Sequence, residues 1–287
     1  MPITLEHMYH TYQPDSPFQA DALTDIDFTI EDGDLLALIG HTGSGKSTLA
    51  QHLNGLLTPT AGRVLVDGQD INEKGVNRRA LRQRVGLLFQ YAEYQLFEET
   101  VYKDIAFGPQ NQGKEGDELD KAVREAADFT GLKPELLQKS PFDLSGGEKR
   151  RAAIAGVIAM DPEVLVLDEP TAGLDPMGRE VLLSQIVRYH KERDNTILLV
   201  SHTMEDVARF ADKIIVMNKG RLEMFAPTKE VFSRGEELES FGLKIPQITK
   251  IMRQLRQKGF DVPEGVLTVD EALSALLPLL KKEGKLW

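Results

Sequence analysis

Short apolar runs separated by longer mixed segments fill the first three quarters of the chain. The runs cover residues 35–39, 85–89, 164–167, 196–200 and 213–217. Apolar runs of about five residues that alternate with helical patterns are typical of buried parallel strands joined by crossover helices. The pattern therefore predicts an α/β fold. A further run, residues 64–66, stands beside Asp67-Gly68 and predicts an antiparallel hairpin in the N-terminal part.

The pattern changes after residue 225. An i, i+3, i+4, i+7 spacing predicts an amphipathic helix over 246–258, formed by Ile248, Ile251, Met252 and Leu255. A capping box of Thr268 and Glu271 predicts the start of a second helix, which Pro278 should kink or shorten. The apolar stripe of that second helix is predicted to be Leu273, Leu276, Leu277 and Leu280. Residues 226–287 carry 10 basic and 9 acidic side chains. The tail is therefore close to neutral, whereas the whole chain has a net charge of −11. We predict a domain over 1–225 with a helical extension over 226–287.

Composition narrows the possible functions. The net charge of −11 argues against nucleic acid as the main partner, because phosphate binding needs clustered cations. The absence of cysteine excludes disulfides and zinc–thiolate sites. No apolar run approaches the ~18 residues that span a bilayer, and the first residues lack the pattern of a signal peptide. We therefore expect a cytoplasmic protein whose membrane role, if any, comes through a partner.

A phosphate-binding loop follows the first predicted parallel strand. Its residues Gly40-His41-Thr42-Gly43-Ser44-Gly45-Lys46-Ser47 fit the pattern G-x-x-x-x-G-K-[ST]. Glycines allow backbone N–H groups to surround phosphate oxygens, and the following helix adds positive potential. Lys46 is expected to reach the β- and γ-phosphates of ATP, and Ser47 to bind Mg²⁺. Thr48 is a candidate contact of the α-phosphate; the alternative is that it only begins the helix.

Two acids, Asp168 and Glu169, end the apolar run 164–167. An acid at the carboxyl end of a buried strand can lie beside the phosphate loop. We expect Asp168 to hold Mg²⁺ through its water shell and Glu169 to orient and deprotonate the attacking water. The alternative is a loop acid that caps the next helix.

Further motifs show a family resemblance. They are Gln90, the segment Leu144-Ser145-Gly146-Gly147-Glu148, the segment Ala172-Gly173-Leu174-Asp175, and His202. With the phosphate loop and the acidic strand end, they occur in the order of the ATP-binding-cassette ATPases, which residues 1–225 resemble. The resemblance implies a P-loop NTPase cassette fold. That fold has a RecA-like parallel sheet core, an N-terminal antiparallel β part and a helical subdomain, here with a small α-helical C-terminal extension.

The resemblance also implies roles for these residues. Two cassettes of this family face each other head to tail, so Ser145, Gly146 and Gly147 would contact the γ-phosphate bound by the partner. Asp175 would join the nucleotide site. His202 would contact the γ-phosphate and help position Glu169, and Gln90 would sense Mg²⁺ and the attacking water. Tyr12 is the candidate for stacking on adenine, with Phe18 as a competitor; the alternative is an ordinary packed aromatic.

Two longer segments indicate the kind of cassette. Residues 90–111, which contain Q-L-F, T-V and D-I-A-F-G-P, and residues 144–160 resemble the ATPases of energy-coupling-factor importers. That resemblance implies uptake of vitamins or transition metals, a peripheral location on the cytoplasmic face of the membrane, and three partners. The partners are a second related ATPase, a transmembrane coupling protein and a membrane substrate-binding protein. Residues 169–176 resemble the second of the two paired ATPases. Glu148 departs from the glutamine that is common at its position.

Two segments have a predicted mechanical role. Residues 94–97 are expected near the docking surface for the membrane partner, with ordinary packing between subdomains as the alternative. The tail either packs on its own cassette or pairs with the tail of the partner ATPase.

Three other functions remain as alternatives. The first is a soluble cassette that acts in DNA repair or on ribosomes, although Lys46 and Asp168 are only 122 residues apart and leave no room for a long coiled coil. A nucleotide-regulated scaffold is opposed by the presence of Glu169 and His202. A small-molecule kinase would leave the segment 144–148 without a role.

Overall fold

The computed structural model describes the backbone of residues 1–282 and the side chains of residues 1–279. The strands are β1 (Ile3–Tyr12), β2 (Ala20–Ile30), β3 (Leu35–Ile39), β4 (Ala61–Val66), β5 (Gln69–Asp70), β6 (Val85–Leu88), β7 (Val164–Asp168), β8 (Thr196–Val200), β9 (Lys213–Asn218) and β10 (Arg221–Pro227). The helices are α1 (Lys46–Leu53), α2 (Arg78–Arg84), α3 (Val101–Asn111), α4 (Gly116–Thr130), α5 (Gly146–Ile158), α6 (Pro176–Arg193), α7 (Met204–Phe210), α8 (Thr228–Ser233), α9 (Gly235–Ser240), α10 (Gln247–Gln257) and α11 (Val269–Lys282).

Two sheets organise the first part of the chain. The larger sheet has the strand order β10-β9-β3-β8-β7-β6. Adjacent strands in it are parallel, except that β10 is antiparallel to β9. The smaller is antiparallel, with the order β2-β1-β4-β5. Asp67 and Gly68 connect β4 to β5 with positive φ at both residues, which matches the twist of a tight hairpin. The predicted α/β class, the five parallel-sheet strands and the hairpin are confirmed.

Burial explains why the parallel strands are continuously apolar. Every residue of β3, β7 and β8 is buried, because elements cover both faces of this sheet. One face packs against α3, α4, α5 and α6 in a single apolar cluster. The opposite face packs against α1 and the antiparallel sheet in a second cluster. The sheet therefore runs through the middle of the cassette, and its strand ends have fixed positions.

The tail divides into two parts by its packing. Val231, Phe232 and Leu238 belong to the same apolar cluster as Ile39 and Val216 of the parallel sheet. Helices α10 and α11 instead pack on each other through a small cluster of their own. The beginning of the tail is thus built into the core that covers the end of the sheet.

The two predicted tail helices are present, and the predicted face of α11 is partly wrong, because Leu276 packs as predicted and Leu273 does not. Helix α10 matches the predicted 246–258, and the capping box forms: the N–H of Glu271 donates to Oγ1 of Thr268 at 3.2 Å. Helix α11 continues past Pro278, because one missing donor does not unfold the turns around it. Its packed face consists of Ala272, Ala275, Leu276 and Leu279.

The predicted stripe of α11 is rotated relative to this packed face. Leu273 is exposed, and so is Ile251 of α10. The side chain of Leu280 lies outside the described residues. Helix α11 has apolar residues on more than one face, so their spacing does not define which face is buried. The packing of α10 against α11 decides it.

Among residues 1–282, no helix combines the length and the apolar character that crossing a membrane requires.

Phe232→Ala tests whether the start of the tail belongs to the cassette core. Phe232 is fully buried, so the substitution should lower the free energy of unfolding by about 3–5 kcal/mol. Phe260→Ala is the matched control, because Phe260 is 47% exposed, and it should change that free energy by less than about 1 kcal/mol. Chemical denaturation monitored by circular dichroism measures both. Equal effects of the two substitutions would contradict the shared core.

Candidate functional site

The phosphate loop, residues 40–47, connects the carboxyl end of β3 to α1. Its backbone passes too close to neighbouring strands for side chains at two positions. A Cβ at Gly40 would lie 2.4 Å from the carbonyl oxygen of Met217. Gly45 has a φ of +99°, and a Cβ there would lie 2.7 Å from the carbonyl oxygen of Ala22. The glycines of the motif are therefore required by the tight turn that presents backbone N–H groups at the start of α1.

Lys46 points back into its own loop. Its ammonium group donates to the carbonyl oxygens of Gly40 at 2.8 Å and His41 at 3.0 Å. Burial lowers the pKa of Lys46, and the negative charges of Glu169 and Asp168 oppose that shift. The loop thus brings a cation and backbone donors together within eight residues, which suits a polyphosphate.

Ser47 and Asp168 meet at the base of the loop. The Ser47 hydroxyl donates to Oδ2 of Asp168 at 2.8 Å. Burial raises the pKa of Asp168, and the hydrogen bond from Ser47 opposes this shift. These oxygen donors fit Mg²⁺. Among the described side chains of residues 1–279, no group of three or more His, Asp or Glu can hold a metal. A magnesium ion here would therefore take most of its ligands from phosphate and water.

Two residues from neighbouring strand ends contact one carboxylate. Glu169 follows β7, and its Oε1 lies 2.6 Å from Nε2 of His202, which follows β8. Its Oε2 accepts a hydrogen bond of 3.1 Å from the Gln90 side chain, which follows β6. Because β6, β7 and β8 are adjacent and parallel, their carboxyl ends lie at one edge of the sheet. The arrangement can orient a water molecule and accept its proton.

The backbone of Glu169 has an unusual conformation. Its φ is +51°, in the left-handed region that residues other than glycine seldom adopt. Its N–H donates to the carbonyl oxygen of Val200 at 3.0 Å, which fixes it to the end of β8. The carboxylate is thus directed by a conformation that its surroundings must maintain.

Of the two candidates for stacking on adenine, Tyr12 lies beside the start of α1 and Phe18 does not. The Tyr12 hydroxyl lies 3.2 Å from Oγ1 of Thr48, and its ring packs edge-on against His10 at 4.6 Å. Phe18 lies in the β1–β2 loop with 80% of its side chain exposed. His10 in turn packs on His52, whose Nδ1 donates to the carbonyl oxygen of Thr48 at 2.7 Å. The sequence analysis did not identify this histidine pair, because histidines 42 residues apart carry no pattern.

The other predicted residues of the loop differ in their surroundings. Nδ1 of His41 lies 2.7 Å from the carbonyl oxygen of Thr42, and its Nε2 lies 3.1 Å from the Asn218 amide oxygen. The Ser44 hydroxyl is buried without a hydrogen-bond partner. Gly43 has a φ of +80° and open space around it. Of these residues, Gly43 leaves most room for a ligand at the loop.

The segment around Ser145 forms a second, separate group. Ser145 caps α5: its hydroxyl donates to Oε2 of Glu148 at 2.7 Å and accepts from the N–H of Glu148 at 3.4 Å. Hydrogen bonding from Ser145 lowers the pKa of Glu148. Gly146 and Gly147 begin the first turn, where Gly146 is exposed and Gly147 is half-buried, and a Cβ at Gly147 would lie 3.3 Å from Leu174.

Asp175 caps α6 by accepting a 2.6 Å hydrogen bond from the N–H of Gly178. Within the described residues, no hydrogen bond joins Ser145 or Asp175 to the phosphate loop. The structure therefore brings together Lys46, Ser47, Asp168, Glu169, Gln90 and His202. Ser145, Gly146, Gly147 and Asp175 belong instead to the starts of α5 and α6.

Comparison with known proteins identifies the family. Residues 23–172 match the family model described as ABC transporter. The chain is 54% identical to the energy-coupling factor transporter ATP-binding protein EcfA2 of Clostridium perfringens, over 99% of this chain and all of that protein. The EcfA2 protein of Clostridium tetani is 50% identical over 99% of both chains.

Solved structures agree with the sequence relatives. The structure of cbiO1 from Clostridium perfringens, part of the ABC transporter complex cbiONQ, has a TM-score of 0.74 and 38% identity. That match covers 88% of this chain and 98% of cbiO1. A dimeric structure of MJ0796, a bacterial ABC transporter cassette, has a TM-score of 0.72 and 27% identity over 79% of this chain and 98% of that one. The predicted cassette fold and ATPase class are confirmed.

The pH dependence of stability tests the burial of His52. Burial lowers the pKa of His52 from 6.5 to about 4. Between these values the unfolded chain binds a proton that the folded chain does not. The free energy of unfolding should therefore fall by up to about 3 kcal/mol as the pH falls through this range. His52→Gln should reduce that loss in denaturation experiments at about pH 7 and about pH 5.

His7→Gln is the control with the opposite sign. A hydrogen bond to Asp25 raises the pKa of the exposed His7, so His7 stabilises the folded chain at low pH and loses this effect as the pH rises. Removing it should make the fall in stability toward low pH steeper. The burial argument would be wrong if His52→Gln left the pH dependence unchanged.

Proposed function

Because this chain belongs to the ABC transporter family of ATPases, we propose that it drives an importer of the energy-coupling-factor type by hydrolysing ATP. The single observation that supports this role for the site is the carboxylate of Glu169, held between His202 and Gln90 beside the phosphate loop. The relatives that share about half of its residues over nearly its full length are named as transporter ATP-binding proteins. A soluble repair or ribosomal cassette is therefore not favoured.

The residues of the site divide the work of hydrolysis. Glu169 orients a water molecule in line with the γ-phosphate and accepts its proton, while His202 and Gln90 hold the carboxylate. Lys46 and the loop N–H groups stabilise negative charge on the transferred phosphoryl group. Ser47 and Asp168 would hold Mg²⁺, which neutralises charge on the β- and γ-phosphates. Tyr12, beside Thr48, stacks on adenine.

A second cassette completes the site. Ser145, Gly146 and Gly147 form a helix start that can bind an anion, and within the described residues no hydrogen bond joins Ser145 to the chain's own phosphate loop. We assign them to the γ-phosphate bound by a partner ATPase, with Asp175 at the same interface. The resemblance to EcfA2 favours a related, non-identical partner. In the domain division proposed here, residues 1–225 bind nucleotide and the helical extension 226–287 pairs with the partner's tail.

The remaining partners are membrane proteins. A transmembrane coupling protein would receive the movement of the ATPase pair, and a separate membrane protein would bind the vitamin or metal. This places the chain on the cytoplasmic face of the membrane, held there by its partners.

A groove beside the site suits a helix of the coupling protein. It has a volume of about 710 Å³ and lies between α2, α3, α5 and the short turn 92–95. Phe97 and Phe107 form an exposed aromatic pair at its surface, with ring centroids 5.3 Å apart. Arg79, Arg82 and Asp104 add charged groups around the apolar lining. Gln95, Leu96 and Phe97 line the groove, whereas Tyr94 is not part of its lining.

Glu169→Gln tests the catalytic proposal. The amide cannot accept a proton, so ATP hydrolysis assigned to this site should fall at least about 100-fold while ATP binding remains. Glu163→Gln is the matched control, because Glu163 is an exposed acid at the opposite end of the same strand and pairs with Arg84. Phosphate release and equilibrium binding of a fluorescent ATP analogue are the measurements. Near-normal hydrolysis in Glu169→Gln would refute the role of Glu169.

Co-purification tests the transport assignment and the groove together. The tagged chain is expressed with its genomic neighbours, extracted in detergent and analysed by mass spectrometry. We expect a second ATPase and a multi-spanning protein to remain bound. Gln95→Ala with Phe97→Ala should release the multi-spanning protein and keep the second ATPase. Phe18→Ala, an exposed aromatic on another loop, should keep both. Recovery of ribosomes or DNA would contradict the importer.

A further inference from the structure

Arg150 is a charged side chain buried inside the cassette. It lies in the second turn of α5, the helix that Ser145 caps, and only 1% of the residue is exposed. A cation buried without partners would strongly destabilise the fold, so its contacts carry structural information. The sequence analysis did not distinguish Arg150 from the other residues of the segment 144–160.

The guanidinium group of Arg150 contacts two different parts of the molecule. Its Nη2 donates to the carbonyl oxygen of Glu169, and its Nε donates to the carbonyl oxygen of Pro170 at 3.0 Å. Its Nη1 forms an ion pair with the carboxylate of Glu93. The planar, multi-donor shape of arginine allows these bonds at once, and lysine has no equivalent.

The contacts to Glu169 and Pro170 act where the backbone is strained. Glu169 holds a φ of +51°, and its N–H is already bonded to Val200. The bond from Arg150 fixes the carbonyl on the other side of the same residue. Both peptide groups of Glu169 are therefore held, and together they direct its carboxylate toward His202 and Gln90.

The contact to Glu93 leads to the groove. Glu93 lies in the short turn 92–95, and the neighbouring Ala92 and Gln95 line the groove. Ala152 and Ala153, which follow Arg150 on α5, line it too. A movement of this turn against α5 would therefore act directly on the Arg150 guanidinium group.

We propose that Arg150 is a positioning residue that couples the groove to the carboxylate of Glu169. The inference rests on the proposed roles of Glu169 and of the groove. Displacement of the turn 92–95 by a docked helix is passed through Glu93 and Arg150 to the backbone of Glu169. Binding of a helix in the groove thereby changes the orientation of the Glu169 carboxylate. Conversely, nucleotide binding changes the position of the turn 92–95 at the groove.

Arg150→Met tests this coupling, because methionine fills similar space without donors. The variant is measured in the purified complex for ATP hydrolysis, and as the free chain for hydrogen–deuterium exchange of residues 91–97 with and without ATP. We expect kcat to fall at least about 10-fold, since small misplacements of catalytic groups have large effects, with KM changed less than about 3-fold. The ATP-dependent change in exchange of residues 91–97 should disappear.

Three further variants separate positioning from folding. Arg151→Met is the matched control, because Arg151 is the next residue of α5 and its Nη1 donates to the carbonyl oxygen of Gly131, away from the site. It should keep kcat and the exchange response. Glu93→Gln removes the ion pair with Arg150 and leaves Arg150 itself in place. It should also abolish the ATP-dependent change in hydrogen–deuterium exchange of residues 91–97. Combining Glu93→Gln with Arg150→Met should add little to Arg150→Met alone, because both break one connection. If Arg150→Met does not fold, Glu93→Gln alone decides the question.

The outcomes distinguish this inference from the proposed function. Equal values of kcat and equal exchange responses in Arg150→Met and Arg151→Met would overturn the coupling. So would a normal exchange response in Glu93→Gln. If Glu169→Gln hydrolyses ATP normally, the catalytic proposal fails instead, and the exchange experiment still tests whether Arg150 links the groove to the strand end.

Discussion

The burial of adjacent parallel strands is the constraint on which the rest of this structure depends. Parallel strands that are covered on both faces must be apolar along their length, and their carboxyl ends must lie at one edge. Polar chemistry can therefore begin only where β3, β6, β7 and β8 end. The phosphate loop, Gln90, Glu169 and His202 all follow those strand ends, and Asp168 is the last residue of β7.

Burial also sets the electrostatics of this edge. It lowers the pKa of Lys46 and raises that of Asp168, so the charged form of each is disfavoured by its surroundings. Anionic phosphate beside Lys46 and a cation beside Asp168 favour the charged forms again. Joint binding of nucleotide and metal would therefore stabilise the charged forms of both Lys46 and Asp168. The contacts of Glu169 with His202 and Gln90 lie closer to solvent, because 45% of the His202 side chain is exposed.

Helix α5 connects parts of the molecule that would otherwise act separately. It begins at Ser145, whose exposed turn is assigned to the partner's nucleotide, and it buries Arg150 against the backbone after β7. Further along, the same helix lines the groove assigned to the membrane protein. One helix thus connects the parts of the molecule that are assigned to the partner's phosphate, the local carboxylate and the docking surface. A shift of α5 would be transmitted to each of them because the helix shares one apolar cluster with α3 and α4.

By itself the sequence determined the parallel strands, the β4–β5 hairpin, the phosphate loop, the acidic end of β7, and the existence of α10 and α11. Each of these depends on local chemistry: continuous apolar runs, glycine spacing, or a capping box. The tertiary structure alone decided which distant residues meet. Gln90 reaches Glu169 across 79 positions, and Arg150 finds Glu93 across 57. The tertiary structure also determines which face of α11 is buried, and it brings Tyr12 rather than Phe18 next to Thr48. Periodicity shows that a residue is apolar or charged, but packing against neighbours from other parts of the chain decides what that residue contacts.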